Sequence, residues 1–155
     1  MQEKILSRHE CRAVLLSCID FRFGGQRTAK ALEETYGLHE NEYDVVTLPG
    51  GAQNLTRFQL GQQYADASLD SLDVAIGLHH VSEVVILSHQ NCGALKAVGH
   101  VFGDGEEVSE TDFHRALLLE AHSGLMAKWP NLKIHAGYLH VDNATQAVII
   151  SSVVT

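Results

Sequence analysis

The sequence of 155 residues has no apolar run that approaches the roughly 18 residues needed to span a membrane. Residues 1–10 carry several charged side chains and lack the apolar stretch of a secretory signal. Basic residues are scarce, because 11 Lys and Arg stand against 19 Asp and Glu, for a formal net charge of −8. Nucleic-acid binding depends on Lys and Arg to neutralise phosphates. We therefore expect a cytoplasmic protein whose partners include neither a membrane nor nucleic acid.

Cysteine is also rare, with three residues in the whole sequence. An odd and sparse set does not build a disulfide scaffold, and in a reducing compartment such cysteines indicate metal binding or catalysis. Cys11 alone is interpreted as a buried or idle thiol. The chain is 45% hydrophobic and 19% charged, which predicts one domain over 1–155 with its own core and hints at a surface covered by a partner subunit.

Short apolar runs alternate with helical patterns along the chain, which is typical of a parallel α/β sheet. Asn54 is predicted to cap a helix that continues to about 78, and Ser109 with Asp112 resembles a capping pair before a later helix. The last two strands are joined at a turn signal, Asp142-Asn143, so they are predicted to form a closing antiparallel hairpin. Strands are predicted at 12–18, 43–48, 83–88, 132–141 and 145–154, and helices at 26–36, 54–78, 94–101 and from 109 to just before Pro130. The predicted fold class is α/β, a mainly parallel sheet flanked by helices.

Three potential metal ligands fall at or just beyond the ends of two predicted strands. Cys18 ends the first strand, His89 follows the third, and Cys92 opens the helix after it. Ligands bind beyond the carboxyl ends of strands in parallel sheets, so these distant segments are expected to meet. Two thiolates and one imidazole suit Zn²⁺, and three protein ligands with an open position are typical of a catalytic zinc site.

Asp20 and Arg22 lie two residues apart on the segment that leaves Cys18, and in an extended chain they point the same way as Cys18. The carboxylate of Asp20 either becomes a fourth ligand in a closed state or accepts a hydrogen bond from a metal-bound water. Arg22 can hold Asp20 in a forked ion pair. Gly50 and Gly51 form a turn after the second strand, which either brings backbone close to a substrate or is simply tight.

The segments Cys18-Ile-Asp20-Phe-Arg22 and His89-Gln-Asn-Cys92-Gly93 resemble the two zinc-binding signatures of the β-class carbonic anhydrases. The resemblance covers about 12–148. It implies a zinc enzyme that hydrates carbon dioxide to bicarbonate and works as a homodimer or higher homo-oligomer, with one Zn²⁺ per subunit. It also implies that Cys18, His89 and Cys92 bind the zinc and that Asp20 and Arg22 form the catalytic dyad beside it.

One segment departs from the family pattern. Family members usually carry an Arg-Asn pair after the second strand, whereas this chain has Thr47-Leu-Pro49-Gly-Gly51-Ala. The candidate substrate residues are Gly50, Gly51 and Gly93. The departure leaves two alternatives open: a related zinc hydrolase of carbonyl sulfide or carbon disulfide, and a non-catalytic, zinc-stabilised protein.

A zinc ion with two thiolate ligands is formally neutral and acidifies water less than one bound by three imidazoles. We therefore expect hydration by a zinc-bound hydroxide to rise toward alkaline pH. The ten histidines offer candidates for a proton shuttle, among them His79, His80, His100 and His114, but most are interpreted as solvated side chains.

Overall fold

The computed structural model describes residues 7–154, which form a five-stranded sheet with helices on both faces. Its strands are β1 (Ala13–Ser17), β2 (Tyr43–Thr47), β3 (Glu83–His89), β4 (Lys133–Val141) and β5 (Val148–Val154), in the order β2-β1-β3-β4-β5. Neighbours are parallel except β4 and β5, which form an antiparallel hairpin. The predicted fold class is confirmed. Both ends of the predicted domain, and most of the segment used to argue against a secretory signal, lie outside the described residues.

Four α-helices connect the strands: α1 (Gly25–Tyr36), α2 (Gln62–His79), α3 (Gly93–Ala97) and α4 (Glu107–Lys128). Helix α1 ends as predicted, at Gly37, whose φ of 64° lies in the left-handed region that glycine adopts without strain. Two 3₁₀ turns, Phe21–Phe23 and Gly51–Leu55, follow β1 and β2. None of the helices within 7–154 is long and apolar enough to cross a bilayer.

The core lies on both faces of the sheet because the central strands are apolar on both sides. Val14 and Leu16 of β1 face one layer, and Ala13 and Leu15 face the other, in the alternation that a strand requires. The first layer is packed by α2 and α4, and the second by α1. Burial of both faces fixes the position of the strand ends, which is where the candidate ligands lie.

Three local predictions are wrong. Asn54 does not cap a helix, because it lies in the 3₁₀ turn, where its side-chain amide donates to the Pro49 carbonyl and its side-chain oxygen accepts from the Leu60 N–H. Helix α2 therefore begins only at Gln62. Helix α4 begins at Glu107, so Ser109 lies inside it rather than before it, and α3 ends four residues earlier than the predicted 101.

Candidate metal centre

The fold brings together three side chains that the sequence separates by up to 74 residues. Cys18 directly follows β1, His89 is the last residue of β3, and Cys92 precedes the first turn of α3. Strands β1 and β3 are parallel neighbours, so their carboxyl ends lie side by side. The ligand atoms of these three residues all lie within 4.8 Å of one another, a separation that one small ion can bridge.

The imidazole of His89 is oriented as a metal ligand requires. Its Nδ1 lies 2.8 Å from the Gln90 carbonyl oxygen, which can only accept, so Nδ1 carries the proton and Nε2 carries the lone pair. The ring is 2% exposed, packs against Phe23, and its Nε2 has no hydrogen-bond partner among residues 7–154. A buried acceptor without a partner is costly, and a metal ion at this nitrogen would satisfy it.

The two sulfur atoms share one environment. The hydrogen bond from Cys92 is the main cause that lowers the pKa of Cys18 to about 4, against the opposing effect of burial. The same contact, followed by burial, raises the pKa of Cys92. The backbone N–H of Gly50 also donates to Cys18 Sγ at 3.3 Å. One thiolate is thus favoured without any metal, and a cation would favour ionisation of the second.

Asp20 is held beside this cluster by Arg22. Arg22 Nε donates to Asp20 Oδ1 at 2.9 Å, and Arg22 Nη2 donates to Asp20 Oδ2 at 2.6 Å. The Arg22 backbone N–H also donates to Asp20 Oδ1, at 3.0 Å. The hydrogen bond from the Arg22 side chain is the main reason that the pKa of Asp20 falls to about 2. The carboxylate is therefore ionised at neutral pH. Its Oδ2 lies 3.7 Å from His89 Nε2, so it is adjacent to the ligand atoms while it remains paired with Arg22.

Arg22 also connects the Asp20 segment to the loop that carries Cys92. Its Nη2 donates to the Asn91 carbonyl at 2.9 Å, and the Asn91 N–H donates to Glu110 of α4. Burial opposes ionisation of Glu110, but hydrogen bonds from His114 and Asn91 outweigh it, so the net pKa of Glu110 is lowered. The roles of Asn91 and Glu110 were not predicted, because neither belongs to a pattern that identifies it before the loop is seen.

Gly51 is the point of closest backbone approach behind the cluster. A Cβ atom there would lie 2.7 Å from the Cys18 nitrogen and 2.9 Å from the Leu87 carbonyl oxygen, and the φ of Gly51 is 52°. The turn is therefore both tight and close to the centre, although its contacts are with Cys18 and the end of β3. A Cβ at Gly93 would meet nothing within 4 Å. A substrate role for Gly50, Gly51 and Gly93 stays a prediction.

A cavity of about 460 Å³ opens beside the cluster, between the end of β1, helix α1 and the edge strand β2. Cys18 and Asp20 line one part of it, and apolar side chains, including Phe21, Phe23 and Val45, line much of the rest. A small, weakly polar molecule therefore has access to the side of the cluster on which Asp20 lies.

Solved structures share this arrangement of strands and helices. A carbonic anhydrase from Glaciozyma antarctica superposes with a TM-score of 0.54, at 17% identity, over 93% of this chain and 83% of its own. The apo form of a carbon disulfide hydrolase gives a TM-score of 0.52, at 11% identity, over 91% and 78% of the two chains. The chain has the β-carbonic anhydrase fold.

Sequence comparison finds distant relatives of this chain. No family model matches the chain. An uncharacterized protein of Rickettsia bellii is 26% identical over 147 residues, which are 95% of this chain and 87% of that protein. The family resemblance of the two motifs is thus supported at the level of fold, and the Cys and His groups form a possible metal site within it.

The histidines considered as proton shuttles lie in different surroundings within this β-carbonic anhydrase fold. His114 is buried, with Nδ1 at 2.9 Å from Ser88 Oγ, and burial lowers its pKa. His100 packs against Phe58 and Phe113. His79 pairs with Asp44 at the other end of the sheet. Each of these three side chains has a packing or pairing role. The interpretation that most of the histidines are solvated is therefore wrong for His114, which is 0% exposed.

Proposed function

We propose that this protein is a zinc enzyme that hydrates carbon dioxide reversibly to bicarbonate. Cys18, His89 and Cys92 would hold one Zn²⁺, and Asp20 with Arg22 would form the catalytic dyad. The observation that carries the proposal is the buried Nε2 of His89, which has no hydrogen-bond partner in the described part of the chain. This nitrogen faces two thiols and lies 3.7 Å from a carboxylate fixed by an arginine.

The donor set fits zinc because thiolate and neutral imidazole are the ligands that this borderline-soft ion prefers. When bound, zinc supplies a Lewis-acidic centre that lowers the pKa of water, and two thiolates weaken this effect, so activity is expected to rise toward alkaline pH. The Gly50 N–H donates to Cys18 Sγ and so helps to orient that sulfur toward the ion.

Asp20 would act through its acceptor oxygens. An ionised carboxylate can only accept hydrogen bonds, so it would orient the proton of an attacking water and direct a lone pair toward the substrate carbon. Its low pKa, about 2, keeps it ionised over the whole neutral and alkaline range. Pairing with Arg22 also restrains Asp20 from becoming a fourth ligand, which favours a catalytic site over a closed structural one.

The second candidate is hydrolysis of carbonyl sulfide or carbon disulfide. It is favoured by the missing Arg-Asn pair at 47–48 and by the largely apolar lining of the cavity, which suits carbonyl sulfide and carbon disulfide as well as carbon dioxide. The similar TM-scores to a carbonic anhydrase and to a carbon disulfide hydrolase make both substrates worth testing on one preparation.

The test is stopped-flow carbon dioxide hydration by zinc-loaded protein from neutral to alkaline pH, with sulfide release from carbonyl sulfide and carbon disulfide measured in parallel. We expect hydration that increases with pH in the wild type. Absence of hydration at every pH with full zinc occupancy would refute the first candidate, and sulfide release under those conditions would establish the second. If the zinc-loaded protein consumes none of the three substrates, the non-catalytic alternative remains.

We also propose that the chain forms a homo-oligomer. Three large apolar side chains on the rim of the cavity are exposed, Ile19 by 60%, Phe21 by 90% and Val45 by 59%, and Val45 lies on the edge strand β2. A second copy would cover this apolar rim. Light scattering coupled to size exclusion tests this, and a monomer at micromolar concentration would contradict it.

A further inference from the structure

A second cluster of metal-binding side chain types lies at the opposite end of the sheet from the candidate metal centre. Cys11 precedes β1, Asp44 is in β2 near its beginning, and His79 is the last residue of α2. One ligand atom from each of them lies within 4.8 Å of the others. The parallel arrangement of β1 and β2 explains the meeting, because it brings the amino ends of the two strands together.

The three residues are held by contacts from different elements. His79 Nδ1 lies 2.6 Å from Asp44 Oδ2, which orients the ring toward the carboxylate. The Cys11 N–H donates to the His79 carbonyl at 3.2 Å, and the Cys11 thiol donates to the Ala13 carbonyl at 3.4 Å. All three side chains are partly buried, so the cluster is organised and also open to an ion from solvent.

The electrostatic surroundings favour a cation. His79 ends an 18-residue helix, where the last carbonyl groups carry partial negative charge. A cavity of about 190 Å³ lies over the cluster, and Glu10 lines it together with the three residues. His9 offers a further imidazole there, and Arg8 is the one positive side chain among the described residues that line the cavity.

We propose that Cys11, Asp44 and His79 bind a second divalent metal ion, such as Zn²⁺ or Co²⁺. Thiolate, imidazole and carboxylate are all established zinc ligands, and Glu10, His9 or water can supply the fourth position. The ion would replace the hydrogen bond between His79 Nδ1 and Asp44 Oδ2. The proposal does not depend on the proposed function, since it uses none of the residues of the first centre.

An alternative role for the same three residues is nucleophilic catalysis by a Cys-His-Asp arrangement. That role needs a thiol ionised by the histidine. Burial, followed by the negative charge of Asp44, raises the pKa of Cys11, and the thiol donates to a backbone carbonyl. The thiol is therefore hydrogen-bonded to the Ala13 carbonyl and not to the His79 base that this role needs, whereas a bound cation would compensate the nearby carboxylate and stabilise the thiolate.

The test measures zinc per chain by inductively coupled plasma mass spectrometry after dialysis of the full-length protein against low free Zn²⁺. We expect two zinc ions in the wild type and one in Cys11→Ser and in His79→Asn. Tyr43→Phe, which removes a hydroxyl from the same cavity without removing a ligand, is the matched control and should retain two.

A second measurement isolates the new site. In Cys18→Ser/Cys92→Ser, we expect one Co²⁺ to bind with a sulfur-to-cobalt charge-transfer band that disappears when Cys11→Ser is added. Zinc contents of Cys11→Ser and His79→Asn equal to the wild type would overturn the proposal, as would a cobalt band that persists without Cys11. If the double variant does not fold by circular dichroism, the comparison of the single variants decides.

Discussion

The Asp20–Arg22 pair offers a direct test of how the candidate centre is kept open. Replacing Arg22 with Gln removes two charge-assisted hydrogen bonds to Asp20 and one to the Asn91 carbonyl. The freed carboxylate, already 3.7 Å from His89 Nε2, can then turn toward the ligand atoms. We expect Arg22→Gln to retain zinc and to lose about 10–100-fold in carbon dioxide hydration, the range for loss of a residue that orients a metal site.

The contribution of this pair to stability follows from the pKa of Asp20. A fall from 3.8 to about 2 corresponds to at most about 2.4 kcal/mol at 1.36 kcal/mol per unit. The Arg22 side chain is 41% exposed, so solvent screening reduces this to about 1 kcal/mol. Because the pKa is lower in the folded state, this stability is present above about pH 4 and is lost as the pH falls toward 2.

The assay combines stopped-flow hydration at full zinc occupancy with urea unfolding at neutral pH and at about pH 3. Arg22→Gln should lose about 1 kcal/mol at neutral pH and less at acid pH. Arg57→Gln is the matched control, since it breaks an exposed Arg57–Glu120 pair away from the centre and should leave hydration unchanged. Hydration by Arg22→Gln at the wild-type rate, with zinc bound, would refute the reasoning.

Three further predictions concern the same centre. Cys92→Ser is expected to lose retained zinc on dialysis, measured by mass spectrometry, because one of three ligands is gone; wild-type zinc content would contradict this. Asp20→Asn should keep zinc yet lose most hydration activity, because the amide offers one acceptor oxygen where the carboxylate has two; an unchanged rate would remove Asp20 from the mechanism. Gly51→Ala should cost about 2–4 kcal/mol in the free energy of unfolding, measured in urea, from the left-handed backbone and the contact with the Cys18 nitrogen; a cost below about 1 kcal/mol would show that the turn can relax.

The placement of the candidate ligands could be predicted because it depends on short-range signals. The runs before Cys18 and His89 are apolar on both faces, which identifies buried parallel strands and puts both residues at one edge. The end of α1 at Gly37 could also be predicted from the local sequence, because a glycine directly follows the helical pattern. Such features follow from composition and periodicity within a few residues.

Other features depend on tertiary contacts and could not be predicted. Asn54 has a side chain that often caps helices. In the 3₁₀ turn Gly51–Leu55, however, this side chain forms hydrogen bonds with the backbone of Pro49 and of Leu60 instead. Glu110 supports Asn91 across 19 residues, and no periodic pattern signals that contact. The Gly50 N–H reaches Cys18 only because β1 and the turn after β2 come together at that edge of the sheet.

The bond from the Gly50 amide to Cys18 Sγ makes one backbone proton a natural spectroscopic probe. Its nuclear magnetic resonance frequency depends on the charge of the sulfur it faces, so titration with Zn²⁺ or Cd²⁺ can be followed at a single peak. With ¹¹³Cd, a scalar coupling across the sulfur would identify the coordinating cysteine directly. No side chain needs to be altered, and the protein therefore reports on its own metal loading in its native sequence.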